Sequence, residues 1–194
     1  REETRFEGGY SPYDRYIVTE ATQRRVRPEL VRALIEGETK FQVDAVSSDG
    51  AKGLMQLMPA IIEAEGVSDP FDPEENIRAG VKLLAWNLEY FRQNRPNDSP
   101  EQTERNAVAA YNAGHVPVLK YEGWQNLPLE IDGKKTDWAQ THNLVNRVWD
   151  ALESGSQVLP ANLQAAQIYE AGILGNLPWE EVRAQLAGTT TTPP

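Results

Sequence analysis

Leu30, Leu34 and Glu38 stand four residues apart, so a helix running through them sets all three on one face. Glu38 is therefore a carboxylate at the end of an apolar row that also holds Val31 and Ile35, while Glu36 points roughly the opposite way. Desolvation disfavours the charged carboxylate and lifts its pKa, and an acid held near about 6 to 7 both donates and retrieves protons at neutral pH. Protonating the leaving oxygen of a glycosidic bond is chemistry that suits such a group. A lone glutamate at a helix end more commonly faces solvent, so the surrounding residues have to decide between the two.

Other chemistries find less material in the chain. It has no cysteine, hence no thiol nucleophile, no thiolate metal site and no disulfide framework. His115 and His142 are not spaced as a ligand pair and have no carboxylates beside them in a metal pattern, so surface or packing roles are expected and no metal is assigned. Neither a G-x-S-x-G elbow nor a glycine-rich phosphate loop occurs, which leaves esterase and nucleotide chemistry without support. Asp44 and Asp49 are candidates to activate a water if folded toward Glu38, although the Asp49-Gly50 turn already accounts for Asp49.

The elements that must position Glu38 follow from periodicity. Pro28 to Gly37 reads as a helix with Pro28 in its first turn. Ser47 to Gly53, SSDGAKG, bends the chain sharply and can return Gln56 toward Glu38. Asp72, Pro73 and Glu75 resemble a capping box opening a long core helix with Ile77, Gly80, Val81, Leu84, Leu88 and Phe91 at helical spacing. Arg92 to Pro100 is a polar surface connection. The next helix carries Ala107, Val108, Ala110 and Tyr111 and stops at Gly114. Asp137 to Leu152 is a further helix, with Leu144, Val145, Val148 and Trp149 on one side. After Ser154-Gly155-Ser156, two shorter helices are expected over Asn162 to Ile173 and Trp179 to Leu186, followed by a fraying tail. The resulting division is a domain over 1–153, a helical extension over 154–187 and a tail over 188–194.

At 194 residues the chain is long enough to bury a core without disulfides or metal. Nineteen Lys and Arg against twenty-nine Asp and Glu give a net charge of -10, which repels a phosphate backbone, so no nucleic-acid partner is expected. No apolar run approaches the roughly 20 residues of a spanning helix, so no transmembrane segment is expected. The opening REETRFEGGY lacks the pattern of a signal peptide, so no export address is read in these residues.

Four stretches, taken in order, resemble the catalytic domain of the lytic transglycosylases, a lysozyme-like family of glycoside hydrolases related to goose-type lysozyme. ALIEGETKFQVDAVSSDGAKGLMQLMP is similar to its glutamate-bearing helix end followed by Ala-Val-Ser, Gly-Ala, Gly-Leu-Met-Gln and Pro. DPFDPEENIRAGVKLL resembles its Asn-Ile-x-x-Gly helix, and AVAAYNAG its Ala-Tyr-Asn-Ala-Gly signature. AQTHNLVNRVWD resembles the closing helix, with Gln140 where that pattern has glutamate and Leu144 where it has tyrosine. Those two replacements remove a carboxylate and a phenol near the expected cleft. The resemblance covers about the first 150 residues and implies a mainly α, lysozyme-like catalytic domain with a short helical C-terminal extension.

The resemblance further implies that Glu38 is catalytic and that Ser47, Gln56, Met58, Tyr111 and Asn112 line a sugar cleft, with Glu38 as the partner of the Tyr111 hydroxyl. Plain readings stand beside these: Ser47 bonding its own turn, Gln56 an exposed amide, Met55 and Met58 core fillers, Tyr111 a core aromatic, and Asn112 a helix-end residue. Tyr121 and Trp124 offer a sugar-stacking platform or ordinary packing. The implied reaction cleaves the bond between N-acetylmuramic acid and N-acetylglucosamine in peptidoglycan glycan strands and leaves anhydromuramyl ends, with no cofactor. The implied setting is periplasmic, cell-envelope or extracellular, or a phage virion. A lysozyme-like hydrolase and a non-catalytic wall-binding protein are the alternatives.

Overall fold

Proline opens four of the helices. Pro28, Pro59, Pro73 and Pro100 each occupy a first turn, where the missing N–H costs nothing and the fixed φ is already helical. The structure is a computed structural model that describes residues 13–154. Among the described residues the α-helices are α1 (Asp14–Gln23), α2 (Pro28–Thr39), α3 (Pro59–Ala64), α4 (Pro73–Asn94), α5 (Pro100–Ala113), α6 (His115–Lys120) and α7 (Trp138–Glu153). A single 3-10 turn, Trp124–Asn126, and a two-stranded hairpin, β1 (Glu130–Ile131) with β2 (Lys134–Lys135), join α6 to α7. The described residues are mainly helical, as the resemblance implies. The expected extension after Ser154, its two helices and the tail lie outside the described residues.

Two caps match the local chemistry. The Asp72 side chain accepts from the Glu75 N–H at 2.9 Å, and Ser99 accepts from the Gln102 N–H at 3.1 Å. The expected capping box at α4 is only half formed. The Glu75 carboxylate turns outward and accepts from the Ser68 N–H and hydroxyl, each at 2.6 Å, so it ties the preceding loop to α4.

The core is made by α2 packing on α7 and α1, and by α4 packing on α5 and α1. Leu30, Val31, Leu34 and Ile35 of α2, Ile77 and Leu84 of α4 and Val145 and Val148 of α7 are fully buried. Helix α2 runs two residues past Gly37, which sequence reasoning takes as its end. Gly37 lies at a close helix contact instead: a Cβ there would sit 3.2 Å from Val148 Cγ2 and 3.4 Å from Leu144 Cδ1. Lys40, in left-handed backbone at φ 51°, closes the helix by donating its N–H to Glu36 O.

Helix α1 has no counterpart in the expected elements, because DRYIVTEATQ offers a thin apolar stripe in which only Ile17 and Ala21 are buried hydrophobics. It is fixed to α2 by an ion pair. Arg32 Nε lies 3.1 Å from Asp14 Oδ1, and both side chains are fully buried. The β-hairpin also went unread, although Asp132-Gly133 supplies the two positive φ values, 50° and 76°, that a tight hairpin turn requires. Among the described residues, no helix is long and apolar enough to cross a membrane.

Candidate functional site

Glu38 occupies the last turn of α2 and is partly buried. Burial pushes its carboxyl up to about 7, with the positive charge of Arg147 on α7 acting in the opposite direction. A carboxyl with that value is about half protonated at neutral pH, the state a general acid and base needs. The desolvation expected from the apolar row is therefore present.

The chain beyond α2 folds back as a small antiparallel arrangement. Val46 bridges Lys52, and Lys52 bridges Leu57. The Ser47 hydroxyl accepts from the Ala51 N–H at 3.0 Å and so braces its own turn, as the plain reading of that serine has it. Gln56 sits in left-handed backbone at φ 49°, and its side-chain amide donates to Gly53 O at 3.0 Å and Ala45 O at 3.3 Å. The Thr39 hydroxyl, one residue after Glu38, donates to Leu54 O at 2.9 Å and ties the end of α2 to this turn. Met55 is fully buried as a core filler, whereas Met58 is 45% exposed on the rim of the turn.

Helix α5 presents Tyr111 and Asn112. The Tyr111 hydroxyl donates to Met55 O at 2.8 Å. This corrects the expected pairing with Glu38: the turn carbonyl accepts the hydrogen bond of the phenol. Glu38 is still close enough for its charge to act on the phenol, whose pKa is held well above the ordinary value chiefly by burial and then by that charge. Asn112 is exposed and accepts from the Thr141 hydroxyl at 2.6 Å, so it links α5 to α7 rather than only finishing its helix. Glu38, Tyr111 and the Met55 turn thus come together. Ser47 and Gln56 spend their side chains on shaping that turn.

Asn76 is the residue that sequence reasoning passed over. It is fully buried on α4, accepts from the Met55 N–H at 2.8 Å, and donates to Pro70 O at 2.8 Å and Lys52 O at 3.0 Å. The signal was present in the Asn-Ile-x-x-Gly stretch, where Asn76 fixes the backbone at Met55 and Gly80 admits its side chain. A Cβ on Gly80 would lie 2.5 Å from Met55 Sδ. Arg147 was missed as well, since nothing in the closing helix marks it as a neighbour of Glu38.

Several expectations meet a different geometry. Leu144 is buried in the seam between α2 and α7, and Gln140 is exposed. Tyr121 meets Trp138 edge-on at 5.3 Å, while the Trp124 ring lies near His142 at 5.6 Å, so the two aromatics pack on separate neighbours instead of forming one platform. His115 packs against Trp86 at 4.9 Å and Tyr90 at 4.6 Å, and His142 Nε2 lies 3.0 Å from Leu127 O. Asp44 and Asp49 are both exposed, and the charge of Asp44 is felt by Tyr13. No group of three or more His, Cys, Asp or Glu side chains that could hold a metal occurs among the described residues.

The fold and its site define a helical domain in which a desolvated glutamate at a helix end faces a hydrogen-bonded turn and a Tyr-Asn helix end. The family model for the transglycosylase SLT domain matches residues 15–128, more than half of the chain, and the chain belongs to that family. Among its relatives, membrane-bound lytic murein transglycosylase F of Pseudomonas fluorescens is 33% identical over 53% of this chain and 20% of its own length. Membrane-bound lytic murein transglycosylase F 2 of Alkalilimnicola ehrlichii is 27% identical over 73% of this chain and 30% of its own. The transglycosylase of Enterobacteria phage PRD1 is 38% identical over 37% of this chain and 27% of its own. The chain therefore spans less than a third of the curated relatives it matches. A solved structure of an inactive mutant of lytic transglycosylase Slt from Pseudomonas aeruginosa aligns over 84% of this chain and 24% of that chain, at 26% identity and a TM-score of 0.47.

Proposed function

We propose that this domain is a peptidoglycan lytic transglycosylase in which Glu38 is the single catalytic acid and base. The observation that carries the reading is the carboxyl of Glu38, lifted to about 7 by burial at a helix end that faces Tyr111. Family membership supplies the substrate class.

Glycoside cleavage ordinarily uses two carboxylates, but the substrate itself can supply the second function. Glu38 protonates the oxygen joining N-acetylmuramic acid to N-acetylglucosamine, and the N-acetyl group of the muramyl sugar stabilises the positive charge growing at C1. Glu38, now a carboxylate, takes the proton of the muramyl C6 hydroxyl. That oxygen bonds to C1 and closes the anhydro ring, and no water is consumed. No cofactor enters the scheme. Met58 and Asn112, both exposed beside the turn and the helix end, are the side chains open to the glycan, Asn112 through its amide N–H groups because its Oδ1 already accepts from Thr141, while Ser47 and Gln56 contribute by holding the turn in shape. The setting consistent with this substrate is the bacterial cell envelope, or a phage particle that reaches it.

The test is digestion of purified sacculi with the wild type and with Glu38→Gln, followed by mass spectrometry of the released muropeptides. Anhydromuramyl ends from the wild type alone support the reading. Reducing muramyl ends would identify a hydrolase, and binding to sacculi without cleavage would identify a wall-binding protein.

A further inference from the structure

The carbonyls at the end of α2 need partners, because the last turn of a helix leaves its acceptors without intrahelical donors. Glu36 O takes the Lys40 N–H at 3.1 Å and Thr39 O takes the Gln42 N–H at 3.1 Å. Gly37 O, in the peptide that leads into Glu38, takes its donor from another helix: Arg147 Nε of α7, at 2.9 Å. The contact spans 110 positions of sequence. Val148 and Leu144 of the same α7 face pack onto Gly37, so the two helices lie close where this contact is made. A cation at a helix C-terminus also sits favourably in the field of the helix dipole.

We propose that Arg147 is the positioning residue of the Glu38 site, with its guanidinium anchored on Gly37 O so that the last turn of α2 is held against α7 and a fixed positive charge stands beside the Glu38 carboxyl. The inference rests on the transglycosylase reading and deepens it. Arg147 is itself exposed and touches no reacting atom in this scheme; it acts through Glu38.

Among the described residues, the charge that acts on the Glu38 carboxyl comes from α7. Helix α7 contributes Arg147. Helix α5 contributes Tyr111, a neutral phenol throughout the working range because its pKa is raised. Helix α1 packs on α2 through Asp14, which is engaged with Arg32 in the core and is not among the charges acting on Glu38. Glu36, on α2 itself, projects from a different side of the helix from Glu38. Arg147 is thus the cation that opposes desolvation at Glu38. Removing its charge leaves desolvation unopposed, so the Glu38 proton is held to higher pH.

The experiment follows the Glu38 carboxyl by carbon NMR through a pH titration at low salt, with Glu38→Gln identifying the resonance, alongside the pH profile of sacculus digestion. Arg147→Met removes charge and tether. Arg147→Gln keeps an amide donor for Gly37 O but no charge, and Arg147→Lys keeps the charge. The expected result is that the Glu38 midpoint and the alkaline limb of the rate profile move up by about half a pH unit or more in Met and Gln, and stay with the wild type in Lys. The shift should shrink as salt is added, because Arg147 is exposed. An unmoved midpoint in both Met and Gln, with Glu38→Gln inactive, overturns the role of Arg147 while leaving the catalytic reading standing. Full turnover by Glu38→Gln fails the catalytic reading, whereas the NMR midpoint still reports on Arg147.

Discussion

The Tyr111 hydroxyl and the Met55 carbonyl are joined at 2.8 Å across 56 positions of sequence. This bond links α5 to the turn that follows the Glu38 helix, and the same turn residue is held from the other side, where the Met55 N–H meets Asn76 Oδ1 at 2.8 Å. One peptide segment is thereby pinned between two helices, and Glu38 faces one of the pins. The phenol thus serves as a strut for the turn and as a neutral neighbour for the carboxyl.

Tyr111→Phe keeps the ring and removes the strut. A buried carbonyl deprived of its donor costs about 1–2 kcal/mol, so urea denaturation should show a loss of that size. Activity should fall with it, because the Met55 segment loses one of its two anchors. Unchanged stability would mean that the phenol is not holding the turn.

Glu38→Gln should alter the pH dependence of stability in a defined direction. The folded carboxyl titrates near 7, above its ordinary 4.5, so the wild type has its full stability below the lower value and loses stability as pH rises through the upper one. Glutamine never ionises and escapes that loss. The two proteins should be equally stable near pH 4, and the variant more stable at pH 8 by up to about 3 kcal/mol. Denaturant melts at the two pH values decide it, and a constant difference between them would contradict a desolvated Glu38.

Asn76→Ala removes three hydrogen bonds at a fully buried position and leaves the Met55 N–H without its acceptor. We expect a loss of about 3 kcal/mol or more. Gly53→Ala strikes the same place sterically, since a Cβ would fall 2.2 Å from Pro70 O at a φ of +77°, and should match or exceed that loss. Thermal melts of both variants check the claim, and mild effects would mean that the turn is looser than its hydrogen bonds imply.

Much of this arrangement was legible in the sequence where local rules and global packing agree. Glu38 at the end of the Leu30-Leu34 row, the Asp72 start of α4 and the Gly114 stop of α5 all follow from residue type and spacing, and the structure has each of them. What escaped depends on contacts far apart in sequence. Gly37 reads as the last residue of its helix, yet it packs against Val148, more than a hundred positions away. Arg147 is one more polar residue on an amphipathic helix until α7 folds onto α2. Asn76 was visible as part of a motif, but its three partners lie in a loop and a turn that no periodicity connects to α4. Helix α1 was missed because what holds it includes a buried charge pair, and charged residues read as surface.

That pair gives a further test. Asp14→Ala leaves the fully buried Arg32 without its carboxylate and should destabilise the fold by about 3–5 kcal/mol, a loss that chemical denaturation reads directly. Changing both residues to apolar side chains of similar size should restore part of it, because the desolvation of two charges is then avoided. A mild effect of Asp14→Ala would show that α1 is held by its apolar contacts alone.

On the proposed reading, Glu38 drives cleavage by an intramolecular ring closure in which water takes no part. Digestion of sacculi in heavy-oxygen water, with mass spectrometry of the new glycan ends, tests this directly. Unlabelled anhydromuramyl ends are expected from the wild type and none above background from Glu38→Gln. Labelled reducing ends, or undiminished cleavage by Glu38→Gln, would contradict it.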